Sequence, residues 1–125
     1  MRLLIDTQIV FWSYFEPKKL PLSARRYLDS ADAVYVSAAS VWEIAIKVKL
    51  GKLVADPQRL AGQIELAGMR ELPVLSRHAV LLADLPLLHT DPFDRLLIAQ
   101  AMSEPLHLLT TESKLRQYSE LVIQI

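Results

Sequence analysis

The chain has 125 residues, 14 basic and 14 acidic, with 52% hydrophobic residues, three glycines and no cysteine. Without thiols neither a disulfide scaffold nor a thiolate metal site is available. So much apolar material with so little glycine excludes a disordered or collagen-like chain, and one domain spanning residues 1–125 around one core is expected. The acid at Asp6 comes too early for the apolar region of a signal peptide, and no apolar run approaches the ~20 residues of a membrane helix. A cytoplasmic protein without a membrane segment is therefore expected, and its neutral charge balance offers no strongly positive surface for nucleic acid.

Leu3 to Ile5 is a short uninterrupted apolar run, the pattern of a strand buried on both faces, with Asp6 at its C-terminal end. Ile9 to Phe15 is apolar almost throughout and is stopped by Pro17, which predicts a short helix; Leu22 to Leu28 predicts another. Ala33 to Val36 is a second strand. Ser37 is placed to cap a helix from Ala38 to Leu50, closed by Gly51. Pro57 to Gly68 predicts a helix, Glu71 to Leu75 a third strand, and Ser76 to Ala83 a helix capped by its serine. After a loop from Asp84 to Thr90, a well-signposted helix runs from Asp91 to Met102. Leu106 to Leu109 is a strand, Thr110 to Tyr118 a short helix, and Leu121 to Ile125 a last strand.

Strands alternating with helices imply right-handed crossovers and the α/β class, here a three-layer α/β/α domain around a mostly parallel central sheet. Ligands of such sheets bind beyond the C-terminal ends of the strands. Asp6 follows the first strand, Asp94 is in the first turn of its helix, and Glu112 follows the strand ending near Thr110, so all three should share that edge. Glu43 has to reach it from the side of its helix. There Val41, Ile44, Ala45 and Val48 project together, Trp42 and Ile46 widen the apolar arc, and Ser40, Glu43 and Lys47 form a narrow polar strip.

Asp6, Glu43, Asp94 and Glu112, with Asp91 nearby, form a hard-oxygen set suited to Mg²⁺ or Mn²⁺ rather than zinc. Converging carboxylates take up protons or bind a divalent cation, and the matching reaction is hydrolysis of a phosphodiester by metal-activated water. Withholding these acids from the charge count leaves the remaining surface net basic, as an enzyme acting on a polyanion needs. Each acid also has a plainer reading. Asp91-Pro92 is what a helix start requires, Glu43 and Lys47 are spaced as an i,i+4 surface pair, Asp6 is placed to cap a helix from Thr7, and Glu112 reads as a solvated first-turn acid. His78, His89 and His107 are scattered and read as loop or structural residues. Arg95 and Lys47 are placed either to hold phosphate or the carboxylates, or to form ordinary ion pairs.

Leu-Leu-Ile-Asp-Thr at the start, Ser-Ala-Ala-Ser-Val-Trp-Glu-Ile-Ala-Ile-Lys from Ser37, His-Thr-Asp-Pro-Phe-Asp-Arg-Leu-Leu-Ile-Ala-Gln-Ala from His89, and Leu-Thr-Thr-Glu near the end resemble the PIN domain, most of all the VapC-type toxin ribonucleases. The resemblance covers essentially the whole chain in order. It implies a Mg²⁺-dependent endoribonuclease, usually a homodimer, paired with a cognate antitoxin that blocks it. Asp6, Glu43 and Asp94 match the first three acids of the family and are the expected catalytic and metal-binding residues. Glu112 stands where an aspartate is more usual, and its extra methylene suits a water-mediated role. Other readings are a PIN-like module that binds RNA or a partner without cleaving, and a Mg²⁺-dependent phosphatase. The phosphatase needs a second acid two residues after the first, where this chain has Gln8. The apolar run from Ile9 to Phe15 is expected to pack in the core, though a dimer or antitoxin contact would use the same residues.

Overall fold

The computed structural model describes residues 1–125. Five strands, β1 (Arg2–Ile5), β2 (Ala33–Ser37), β3 (Arg70–Leu72), β4 (His107–Thr110) and β5 (Val122–Gln124), form one sheet in the order β3-β2-β1-β4-β5. Every neighbouring pair is parallel. Six α-helices cover the two faces: α1 (Thr7–Phe15), α2 (Leu22–Ser30), α3 (Ala38–Lys49), α4 (Pro57–Gln63), α5 (Ser76–Leu81) and α6 (Pro92–Ser103). The expected three-layer α/β/α architecture is observed, with a sheet that is wholly parallel.

The strand pleat divides the core. Leu3 and Ile5 face one layer, where they pack with Ile9, Val10 and Phe11 of α1, Ile44 of α3 and Leu60 of α4. Leu4 faces the other, with Leu97, Ile98 and Ala101 of α6, Leu108 and Leu115. Leu3, Leu4 and Ile5 are all fully buried, which accounts for the uninterrupted apolar run at this point in the sequence. Trp12 and Phe15, half-buried, pack against the first of these clusters, as expected of the α1 run.

Four elements differ from expectation. α4 ends at Gln63, where Gly62 has already weakened it. The chain then tightens through a bond from the Met69 amide to the Ile64 carbonyl (3.1 Å) and turns at Gly68, whose φ of +81° suits glycine. β3 stops at Leu72 because Pro73 has no amide to continue the ladder with β2. Ser76 lies inside α5 rather than capping it. The amide of Leu75 instead donates to Nδ1 of the buried His78 (3.0 Å), whose Nε2 meets Glu104 at 2.6 Å. Glu104 is held below the usual carboxylate range, first by His78 and also by Arg77. Residues after Thr110 form a tight 3₁₀ turn, Ser113–Gln117, in place of a helix.

From β1 the chain winds outward through β2 to β3, then returns to the far side of β1 to lay down β4 and β5. The winding direction therefore reverses between β1 and β4, and the crevice beyond their C-terminal ends is the topological switch point of the sheet. Asp6 and Thr110 are the residues standing there.

Candidate active site

Asp6 is 4% exposed and held by three donors. Its Oδ1 accepts the amide of Ile9 (2.8 Å), the cap of α1, while Oδ2 accepts the Thr110 hydroxyl (2.7 Å) and the Thr111 amide (3.0 Å). Burial pushes its pKa above the usual value. The amide of Ile9, the Thr110 hydroxyl and the Thr111 amide oppose that rise, and the charge of Glu43 adds to it. Capping and a place in the cleft are thus combined in one side chain, one oxygen serving α1 and the other tying β1 to β4.

Glu43 reaches the same cleft from α3, whose start is capped by Ser37 Oγ on the amide of Ala39 (3.0 Å). Its polar strip faces inward. Ser40 is fully buried and accepts the Thr7 hydroxyl (3.0 Å), and Glu43 is 7% exposed. Glu43 Oε2 pairs with Lys47 Nζ at 3.1 Å, whereas the buried Oε1 has no hydrogen-bond partner. The i,i+4 pair is real but lies at the cleft wall. Trp42 departs from expectation: it is 60% exposed, because the inward face of α3 is used by Ala39, Ser40, Glu43 and Ile44.

Asp91 caps α6, accepting the amides of Phe93 (2.8 Å) and Asp94 (3.1 Å), and still lines the cleft. Asp94, one turn into the helix, takes no capping role; its Oδ2 meets His89 Nε2 at 2.8 Å. Its pKa is pushed up to about 6, chiefly by burial and further by the charges of Asp91 and Asp6, against the lowering effect of His89. Glu112 caps the 3₁₀ turn through the Lys114 amide (3.0 Å) and also faces the cleft.

The cleft has a volume of about 180 Å³ and is lined by all five acids, with Lys47, Gln8 and Thr111 among the other residues. One nitrogen and two carboxylate oxygens, from His89, Asp94 and Glu112, lie within 4.8 Å of one another. Asp94 belongs to this trio and, through its charge interaction with Asp6, also to the other side of the cleft. His89 was set among the structural histidines by its sequence. The signal that marks it is its place two residues before the Asp91 cap, where the turn folds back over the first turn of α6.

Arg95 does not contact any carboxylate. Its guanidinium donates to the carbonyls of Pro86 (2.9 Å), Leu82 (3.3 Å) and Leu85 (3.4 Å) and to the Tyr118 hydroxyl (2.9 Å). That hydroxyl also accepts the amides of Leu88 (3.1 Å) and His89 (3.0 Å). Arg95 points away from the cleft, where its several donors gather three carbonyls of the loop before α6, two of which, Leu82 and Pro86, also accept backbone amides.

A parallel α/β sheet with clustered carboxylates at its switch point defines a class of acid-dependent sites. Residues 3–121 match the PIN domain family, and the chain belongs to that family. It is similar to ribonuclease VapC22 of Mycobacterium tuberculosis, 30% identical over 122 residues, covering 92% of this chain and 90% of the relative. Two solved structures share the fold: VapBC2 from Rickettsia felis bound to a promoter DNA fragment (TM-score 0.66, 13% identity, 100% of this chain and 98% of that one), and FitAcB from Neisseria gonorrhoeae (TM-score 0.63, 21% identity, 90% and 89%).

Proposed function

We propose that this chain is a VapC-type PIN-domain ribonuclease, the toxin of a toxin–antitoxin pair, and that the cleft hydrolyses RNA phosphodiesters with a divalent cation, Mg²⁺ or Mn²⁺. The observation that carries the reading is the partnerless, buried Oε1 of Glu43 in the same cleft as Asp6 and Asp94. A buried carboxylate oxygen without a donor is costly unless a cation meets it. Donors dominated by carboxylate oxygen suit a hard ion. Asp6, Glu43 and Asp94 would hold it, with Glu112 and His89 alongside. When bound, the ion supplies an acidified water and positive charge for the developing oxyanion.

The remaining work belongs to the chain. Three hydrogen bonds prevent Asp6 from turning away, Lys47 offsets one oxygen of Glu43 and leaves the other for the cleft, and His89 fixes the orientation of Asp94. Gln8, in the cleft where an aspartyl-phosphate enzyme would need an acid, disfavours the phosphatase. The partner expected for a toxin is an antitoxin segment whose Arg or Lys enters the acidic cleft and excludes the metal. The cytoplasm is the expected location, and a homodimer is the expected assembly.

The test is cleavage of single-stranded RNA by the purified chain. Mg²⁺ or Mn²⁺ should be required, a chelator should stop the reaction, and products should carry 5′-phosphate and 3′-hydroxyl ends. Cleavage that persists in chelator and leaves cyclic phosphates would overturn the assignment.

A further inference from the structure

The rim of the cleft carries an aromatic group that the chemistry above leaves unused. Trp42 is 60% exposed, a large departure for a side chain that gains so much from burial. It is nonetheless held in place: its ring meets that of Phe93 edge-on, centroids 5.0 Å apart and planes at 69°. Trp42 directly precedes Glu43 and Phe93 directly precedes Asp94. The aromatic pair therefore bridges α3 and α6 at the level where each helix delivers a carboxylate.

A cation lies on the same helix face. Lys49 follows Trp42 by seven residues, which returns it to within ~20° of the same direction about 10 Å along the axis. Lys49 is exposed, whereas Lys47 is engaged by Glu43. An exposed ring beside the reacting centre followed by a free ammonium group is the pattern of a single-strand nucleic-acid track. Bases stack on the ring whatever their identity, and phosphates meet the cation. Bases inside a duplex are already stacked on each other and are not available to such a platform.

We propose that Trp42, backed by Phe93, is a stacking platform for a base flanking the scissile phosphate of single-stranded RNA, and that Lys49 pairs with a backbone phosphate of the same strand. The proposal rests on the ribonuclease reading. It adds to that reading a contact, tolerant of base identity, that grips the strand beside the reacting centre.

The experiment uses the full chain labelled with 5-fluorotryptophan and a single-stranded RNA oligonucleotide in chelator. The Trp42 resonance, assigned with Trp42→Phe, should shift on RNA addition while that of Trp12 stays in place. Trp42→Ala should weaken binding and raise KM by about 5- to 100-fold with little change in kcat. Trp42→Phe should retain most of the affinity, and Lys49→Ala should lower the salt dependence of binding by about one phosphate contact. A Trp42 resonance unmoved by RNA that binds, or unchanged affinity and KM in Trp42→Ala, overturns the platform while leaving the ribonuclease intact. Loss of antitoxin binding without loss of RNA binding in Trp42→Ala assigns the ring to a protein contact and also overturns it. A wild-type chain that neither binds nor cleaves RNA overturns both readings.

Discussion

Asp94 stays protonated into a pH range where an ordinary aspartate is ionised, since its pKa of about 6 lies above the unfolded value of 3.8. The native state thus holds a proton that the unfolded chain releases, and stability should fall as pH rises from about 4 to about 6, then level off. At about 1.4 kcal/mol per pKa unit, and with 21% of the side chain exposed, the loss is on the order of 2 kcal/mol. The metal-free protein should melt at a lower temperature at pH 7 than at pH 5. Asp94→Asn should remove most of that slope, leave the pH 7 melting temperature unchanged or raised, and abolish both activity and stabilisation by Mg²⁺. A role confined to the helix dipole gives the opposite: a loss of a few tenths to about 1 kcal/mol with metal binding intact. Asp6 makes a second case. Thr110→Val removes one of the two donors to its Oδ2 and leaves the Thr111 amide, which should cost about 1–3 kcal/mol in denaturant melts and weaken metal binding measured by calorimetry. These acids were legible in the sequence because each stands at a strand end or helix start. The Thr110 hydroxyl and His89 were not, since their importance comes from partners brought in by the fold.

The segment between α5 and α6 contains a short 3₁₀ turn, Leu82–Asp84, and then a loop held less by its own bonds than by Arg95 and Tyr118. Tyr118→Phe deletes the acceptor of two loop amides and one guanidinium group at once. Amide exchange at Leu88 and His89 should accelerate, and activity should fall more than global stability does, because His89 and through it Asp94 lose their fixed position. Equal protection of those amides in the variant would show that the loop orders itself. The loop itself is readable from its composition, but its tether is not. Arg95 next to Asp94 looks like an ion pair in one dimension, and Tyr118 is 23 positions away. The same limit appears at α5, where a serine in the right place for a cap yields to a histidine ring that reaches Glu104 across a neighbouring element.

The layered architecture was readable almost throughout, because strands buried on both faces leave uninterrupted apolar runs and the helices between them carry clear stops. The errors fall at element ends and on surfaces: β3 shortened by Pro73, the frayed end of α4, and Trp42 turned outward. Helical projection ranks residues by polarity, yet α3 buries two polar residues toward the cleft and exposes an indole, a choice made by the site rather than by hydrophobicity. In the cell, expression of this chain alone should arrest growth, co-expression with its antitoxin should relieve the arrest, and Asp6→Ala should be harmless in both settings. Growth arrest by Asp6→Ala equal to that of the unmodified chain would show that toxicity arises elsewhere.

The bond from Thr110 to Asp6 spans 104 positions of sequence. During synthesis at ~5–20 residues per second, that interval amounts to about 5–20 s in which the first strand exists without its neighbour β4 and the cleft has only one wall. The cleft is therefore incomplete on a nascent chain and is assembled only when the chain closes on its own beginning.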